Sequence, residues 1–158
     1  MEDKMKEGLS ILIMWLHISA TVVWIGGIVF ILAVALPSSR FVLGTEAGKM
    51  MGEISKRFTP IANYSILLLV ITGIILAGYT KDISVFQPNL PMLVKYVVVL
   101  VMITIHFYRG LILTQKIAKF EGIQKTSLQK LSLNLVKFNL ALGIVVVFLS
   151  VLNATVRT

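Results

Sequence analysis

The sequence predicts an all-α integral membrane protein, a four-helix bundle with both termini outside, and three observations predict it. The 158 residues are 57% hydrophobic and only 14% charged, with a mean hydropathy of +0.91, too apolar for a soluble domain of this size. The apolar residues gather in four runs of about 20 residues or more, the length that a helix rising about 1.5 Å per residue needs to cross roughly 30 Å of hydrocarbon. The basic residues, which leave a formal charge of +8, collect between particular runs and so set an orientation.

Span one runs from Leu9 to Leu36, bounded by Glu7 and by Pro37-Ser38-Ser39-Arg40. Ala33-Val34-Ala35 resembles a cleavage site, but the run before it is much longer than the roughly 7–15 apolar residues of a signal peptide. Glu2, Asp3 and Glu7 also spoil a basic leader, so the segment is expected to be retained. Span two, Pro60 to Tyr79, follows Lys56-Arg57; span three, Pro91 to about Thr114, follows Gln87-Pro88-Asn89; span four, about Leu133 to Val156, ends at Arg157. Pro60 and Pro91 are expected to open their helices, because a first helical position has no hydrogen bond for proline to lose. The organisation expected is one membrane domain over 1–158, with spans at about 9–36, 60–79, 91–114 and 133–156.

Arg40, Lys49, Lys56 and Arg57 lie in the connection after span one, and Lys116, Lys119, Lys125 and Lys130 in the one after span three. The opposite side carries only Lys4, Lys6, Lys81 and Arg157 outside the spans. Both long connections are therefore expected in the cytoplasm, in the cell membrane, facing anionic lipid. No basic motif interleaved with aromatics points to nucleic acid. The connection Gln115 to Ser132 alternates lysines with Ile117, Phe120, Ile123 and Leu128, which fits an extension of span three along the headgroups. No internal repeat or low-complexity linker is legible.

The chain has no cysteine, which excludes thiolate metal sites, iron–sulfur clusters, disulfides and covalent c-type haem. Its only two histidines, His17 and His106, both fall within spans, where an ionisable group is costly and marks a functional site by default. Helical spacing places Ser10, Met14, His17, Thr21 and Trp24 on one stripe of span one, and Lys95, Met102, His106 and Arg109 on one stripe of span three. Asn139, Gly143, Ser150 and Asn153 share a face of span four. Such polar stripes are expected to face the bundle interior, since lipid cannot satisfy them.

Two imidazoles with nearby cations suit a noncovalent haem b, histidines on iron and Lys95 or Arg109 on the propionates. Counted from the outer ends of their spans, His17 lies about 12 Å deep and His106 about 22 Å, a mismatch awkward for one haem. The alternative is copper, because Met14 with His17 and Met102 with His106 pair a soft thioether with an imidazole at i,i+3 and i,i+4, suitable for Cu(I). Plain structural roles exist for each: histidine bonding across helices, methionine as core filler, Lys95 and Arg109 snorkelling to opposite interfaces. A third reading is a non-catalytic structural bundle.

Leu16-His17 followed by Trp24-Ile25-Gly26-Gly27 resembles the first helix of the CopD family of copper-resistance membrane proteins and of the related HemJ type of protoporphyrinogen oxidase. Arg57-Phe58-Thr59-Pro60 leading to Thr72-Gly73 is similar to the second helix of both. Lys95, His106 and Tyr108-Arg109-Gly110 resemble the third helix of the HemJ type more than that of CopD, and Phe138-Asn139 resembles its fourth. The resemblance implies a four-helix bundle binding haem b, with His17 and His106 as ligands and Arg57, Lys95 and Asn139 as polar site residues. The acid that follows Phe-Asn in the HemJ pattern is Leu140 here, and the spans hold no Asp or Glu, so a proton acceptor for porphyrinogen oxidation is missing. The resulting expectation is a small b-type cytochrome moving electrons to or from a quinone or redox protein, with copper handling as the alternative. No catalytic residue is assigned, any enzymatic activity would be that of an oxidoreductase, and a homo-oligomer is compatible with the sequence.

Overall fold

A computed structural model describes residues 2–79 and 90–155, and all of these except Phe120 and Glu121 are helical. The all-α expectation holds among the described residues. They divide into two compact units, one within Met1–Gln87 and the other within Pro88–Thr158.

The first unit is a helical hairpin. Helix α1 (Glu2–Phe30) runs through a π-helical segment (Ile31–Ala35) into α2 (Leu36–Leu43), and a 3-10 turn (Gly44–Glu46) leads to α3 (Ala47–Tyr79). Gly44 carries the reversal with φ of 51°, a left-handed conformation that glycine adopts without the steric cost of a Cβ. Helix α3 then packs back along α1 and α2. The pairing of His17 with Thr72 joins residues nearly equidistant from Gly44, as an antiparallel hairpin requires.

Two prolines depart from expectation. Pro37 does not end the first helix, because the π segment precedes it: the Leu36 amide bonds back to the Ile31 carbonyl. The wider turn leaves Pro37 in the first turn of α2, where its missing N–H matters least. Pro60 does not open a helix but lies inside α3. The charged stretch before it is helical too, with exposed i,i+3 pairs Lys49–Glu46 at 2.6 Å and Lys56–Glu53 at 3.9 Å. Proline removes only one intrahelical hydrogen bond there, and the packing of α3 along α1 holds both sides of it.

The second unit is also a hairpin. Helix α4 (Leu90–Phe107), a π-helical segment (Tyr108–Leu113) and α5 (Thr114–Lys119) lead to α6 (Gly122–Thr155). Pro91 sits in the first turn of α4, as expected. The reversal uses an extended Phe120 (φ −102°, ψ 155°) and Gly122 at φ of 59°. The connection expected to extend span three does so as α5, which reaches a tight turn into α6. Helix α6 packs along α4, and Arg109 Nε donates to Ser132 Oγ at 3.1 Å. Seven residues back from Arg109 is Met102, and seven on from Ser132 is Asn139, so the antiparallel register puts these two near one level.

Both units thus share a plan of helix, π segment, short helix, glycine reversal and long return helix. The sequence hides this repeat because Ile31–Ala35 and Tyr108–Leu113 have nothing in common residue by residue.

Three helical stretches among the described residues are long and apolar enough to cross a membrane: Lys4–Gly78, which bends back at Gly44, Met92–Lys119 and Gly122–Leu152. Ile11, Val22, Ile74, Leu100, Ile144 and Phe148 all stand exposed on them, an arrangement stable in hydrocarbon and not in water. Hydroxyls on these helices bond their own backbone: Thr21 to the His17 carbonyl at 2.9 Å, Ser65 to Ile61 at 2.9 Å and Ser150 to Val146 at 2.8 Å. That back-bonding keeps them from presenting an unsatisfied donor to lipid.

Candidate functional site

In the first unit, His17 is half-buried on α1 and its Nδ1 lies 2.8 Å from Thr72 Oγ1 on α3. The Thr72 hydroxyl has one proton, and it goes to the Leu68 carbonyl at 2.6 Å. Oγ1 must therefore accept, and the imidazole Nδ1–H donates. This network puts a proton on Nδ1, so Nε2 is the nitrogen that would face a metal, the usual arrangement of a metal-binding histidine whose second nitrogen is tied down. The ring lies over Gly73, where an added Cβ would meet Cε1 at 3.5 Å. Trp24, two turns along the same stripe, is buried.

The rest of that unit sorts the expected site residues. Met14, one turn before His17, is 50% exposed, so the stripe does not turn wholly inward as expected: the α1–α3 contact covers the Trp24 end of it and leaves Met14 at the edge. Arg57 is exposed and forms no ion pair among the described residues. It lies fifteen residues before Thr72 on α3, about 22 Å along the axis, so it does not join His17. Beside it, Phe58 fits over Gly27 so closely that a Cβ on Gly27 would overlap the ring. Gly27 thus serves helix packing, whereas Gly26 faces open space.

In the second unit, Met102 (1% exposed), His106 (9%) and Asn139 (3%) are all buried. Met102 and His106 are one turn apart on α4, and Asn139 on α6 is near the level of Met102. Asn139 Oδ1 is buried with no hydrogen-bond partner among the described residues, a neutral acceptor that a donor or cation would satisfy. The His106 ring meets Phe107 edge-on, centroids 5.5 Å apart at 86°. Lys95 is half-buried and eleven residues from His106, about 16 Å along the axis. Arg109 is half-buried in the π segment, whose register is marked by Thr114: its amide and its hydroxyl, at 2.9 Å, both bond the Arg109 carbonyl. Asn153, expected on the Asn139 face, has a side chain outside the described residues.

Thr72 and Ser132 carry roles that sequence reasoning did not give them. Thr72 entered only as part of a motif; the signal available was Ser65 and Thr72, two turns apart on one apolar helix, both of which are buried.

The donor chemistry is narrow. No group of three or more His, Cys, Asp or Glu that could hold a metal exists among the described residues. What each unit offers is an imidazole with a thioether three or four residues before it on the same helix, with a buried amide oxygen added in the second. Such a set fits Cu(I), which favours soft ligands, and not a four-coordinate zinc or an oxygen-ligated hard cation.

An all-helical chain with lipid-exposed apolar helices and a few buried polar side chains is an integral membrane protein. Residues 52–153 match the family model described as copper resistance protein D. The match spans well over half of the chain, which belongs to this CopD family of copper-resistance-related membrane proteins. It includes Thr72, Lys95, Met102, His106, Arg109 and Asn139, while His17 lies before it. No curated protein and no solved structure matches the chain.

Proposed function

We propose that this protein handles copper at the membrane, binding Cu(I) as cargo on one methionine–histidine pair in each unit, Met14 with His17 and Met102 with His106. The observation that carries the reading is the family match over residues 52–153, which contains Met102 and His106 buried one turn apart. Family membership favours copper, the alternative reading of the sequence, over haem b; haem, iron and electron transfer gain no support from the fold or the family.

The residues divide the work. Thr72 holds the His17 ring through Nδ1, which assigns metal ligation to Nε2. The Met102 thioether and the His106 imidazole supply a buried soft pair, and Asn139 adds a neutral oxygen near the same level. With no carboxylate in the set, a monovalent cation is matched better than a divalent one. The topology proposed with this function is four spans, both termini outside and the two basic hairpin ends in the cytoplasm, on the charge asymmetry of the sequence.

Detergent-purified protein titrated with Cu(I) against a chromogenic chelator tests this reading. Bound copper is expected to fall in both His17→Ala and His106→Ala while each variant still inserts. Copper binding unchanged in both variants would refute it.

A further inference from the structure

Arg109 is a cation near the end of an apolar helix with no acid beside it. Its hydrogen-bond partner among the described residues is the neutral Ser132, at 3.1 Å through Nε. A guanidinium has five N–H donors in a planar fork, and the two terminal nitrogens match the oxygens of a phosphate or carboxylate. Between Leu90 and Thr155 the only acid is Glu121, so no carboxylate from this unit reaches Arg109 except one at the hairpin turn, more than ten residues away.

The apolar runs of the two helices place this pair. Arg109 lies seventeen residues after Met92, where the apolar stretch of α4 starts, so it is about 26 Å along a path of roughly 30 Å through hydrocarbon. Ser132 immediately precedes the apolar run of α6, from Leu133 on. The hydrogen bond therefore lies toward the end of the hydrocarbon path on α4 and just before the apolar run of α6.

Beyond that level the hairpin is basic and tipped with apolar side chains. Lys116, Lys119, Lys125 and Lys130 are all exposed on its two arms, and at the turn Phe120 is 41% and Ile123 90% exposed. Cations with apolar side chains between them are the composition of a surface that rests on anionic headgroups.

We propose that Arg109, held by Ser132, binds the phosphate of an anionic phospholipid, with the four lysines drawing that lipid to the hairpin. Arg109 makes the specific contact through its fork. The lysines act as point charges, and their share weakens with salt. Ser132 fixes the plane of the guanidinium and is a positioning residue. The site does not depend on the copper reading.

The test titrates the full chain in mild detergent with phosphatidylglycerol and reads bound lipid by native mass spectrometry, with phosphatidylcholine and inorganic phosphate as comparators. Phosphatidylglycerol is expected to be retained over phosphatidylcholine and not displaced by inorganic phosphate. Arg109→Gln should weaken retention about tenfold and Arg109→Lys, which keeps charge and loses the fork, by a few-fold. Replacing the four lysines by glutamine should weaken it by an amount that vanishes in high salt, whereas the Arg109 effect persists. If Arg109→Gln does not insert, the lysine variant decides. Wild-type retention in Arg109→Lys together with Arg109→Gln, or in Arg109→Lys alone where the glutamine variant fails, would overturn the proposal. So would equal retention of phosphatidylcholine, or displacement by inorganic phosphate, which would make this a site for a free anion.

Discussion

Replacing Thr72 by valine removes one oxygen and leaves the shape of the α1–α3 contact intact, so it isolates what the His17–Thr72 hydrogen bond does. On stability the loss should be small. Hydrogen bonds between membrane helices contribute about 0.6 kcal/mol on average and at most about 1.7, and the Leu68 carbonyl relieved of the Thr72 hydroxyl keeps its helical partner. On metal binding the loss should be larger. Without Oγ1 to accept from Nδ1–H, the ring can turn or exchange tautomers, and removing such a support typically costs about 10–100-fold in metal affinity. That range equals about 1.4–2.7 kcal/mol, roughly two to four times the average stability change. Cu(I) competition titrations and thermal unfolding on the same detergent preparations separate the two effects. Thr72→Ser, which keeps the acceptor, should bind copper much as the native protein does. In a His17→Ala background Thr72→Val should add nothing further. Wild-type copper affinity in Thr72→Val would refute the positioning argument, as would an equal loss in Thr72→Ser.

Three more outcomes follow from the packing. Gly27→Ala should destabilise the first hairpin by about 1–3 kcal/mol through overlap with Phe58, and a double-mutant cycle in thermal or SDS unfolding should show the cost disappear in a Phe58→Ala background; equal cost in both would mean the contact is not the cause. Met102→Leu conserves volume, so it should lower Cu(I) affinity with a stability change under about 1.5 kcal/mol, and by more than Met14→Leu, because Met102 is buried and Met14 is half exposed. Single cysteines at Ser38 and Ser127, both exposed near the two hairpin turns, should label from the cytoplasmic side only; labelling of either from outside would overturn the proposed orientation.

The membrane class and the helices were legible in the sequence, because hydrophobic run length is a physical requirement of the bilayer. Their ends were not. Pro37 and Pro60 read as boundaries only if the helix around them is regular, and a π turn ahead of one and packing around the other cancel that signal. The charged stretch Lys49 to Arg57 read as a loop, although nothing in a solvated helix forbids charge. Among the site residues, the burial of His106, Met102 and Asn139 followed from helical spacing. The partnership of His17 with Thr72 and of Arg109 with Ser132 did not, since each depends on the register between two helices, set by where Gly44 and Gly122 reverse the chain. Met14 shows the limit of a stripe: shared helical spacing does not make every member of a face equally covered.

Metal content and an optical spectrum of the protein purified from membranes supplied with copper and haem decide between copper and haem. The purified protein is expected to retain Cu(I), to show no Soret band and to lose copper when His17 and His106 are both replaced by alanine. A preparation free of copper, with a Soret band that shifts on dithionite and disappears in the same variant, would contradict the copper reading.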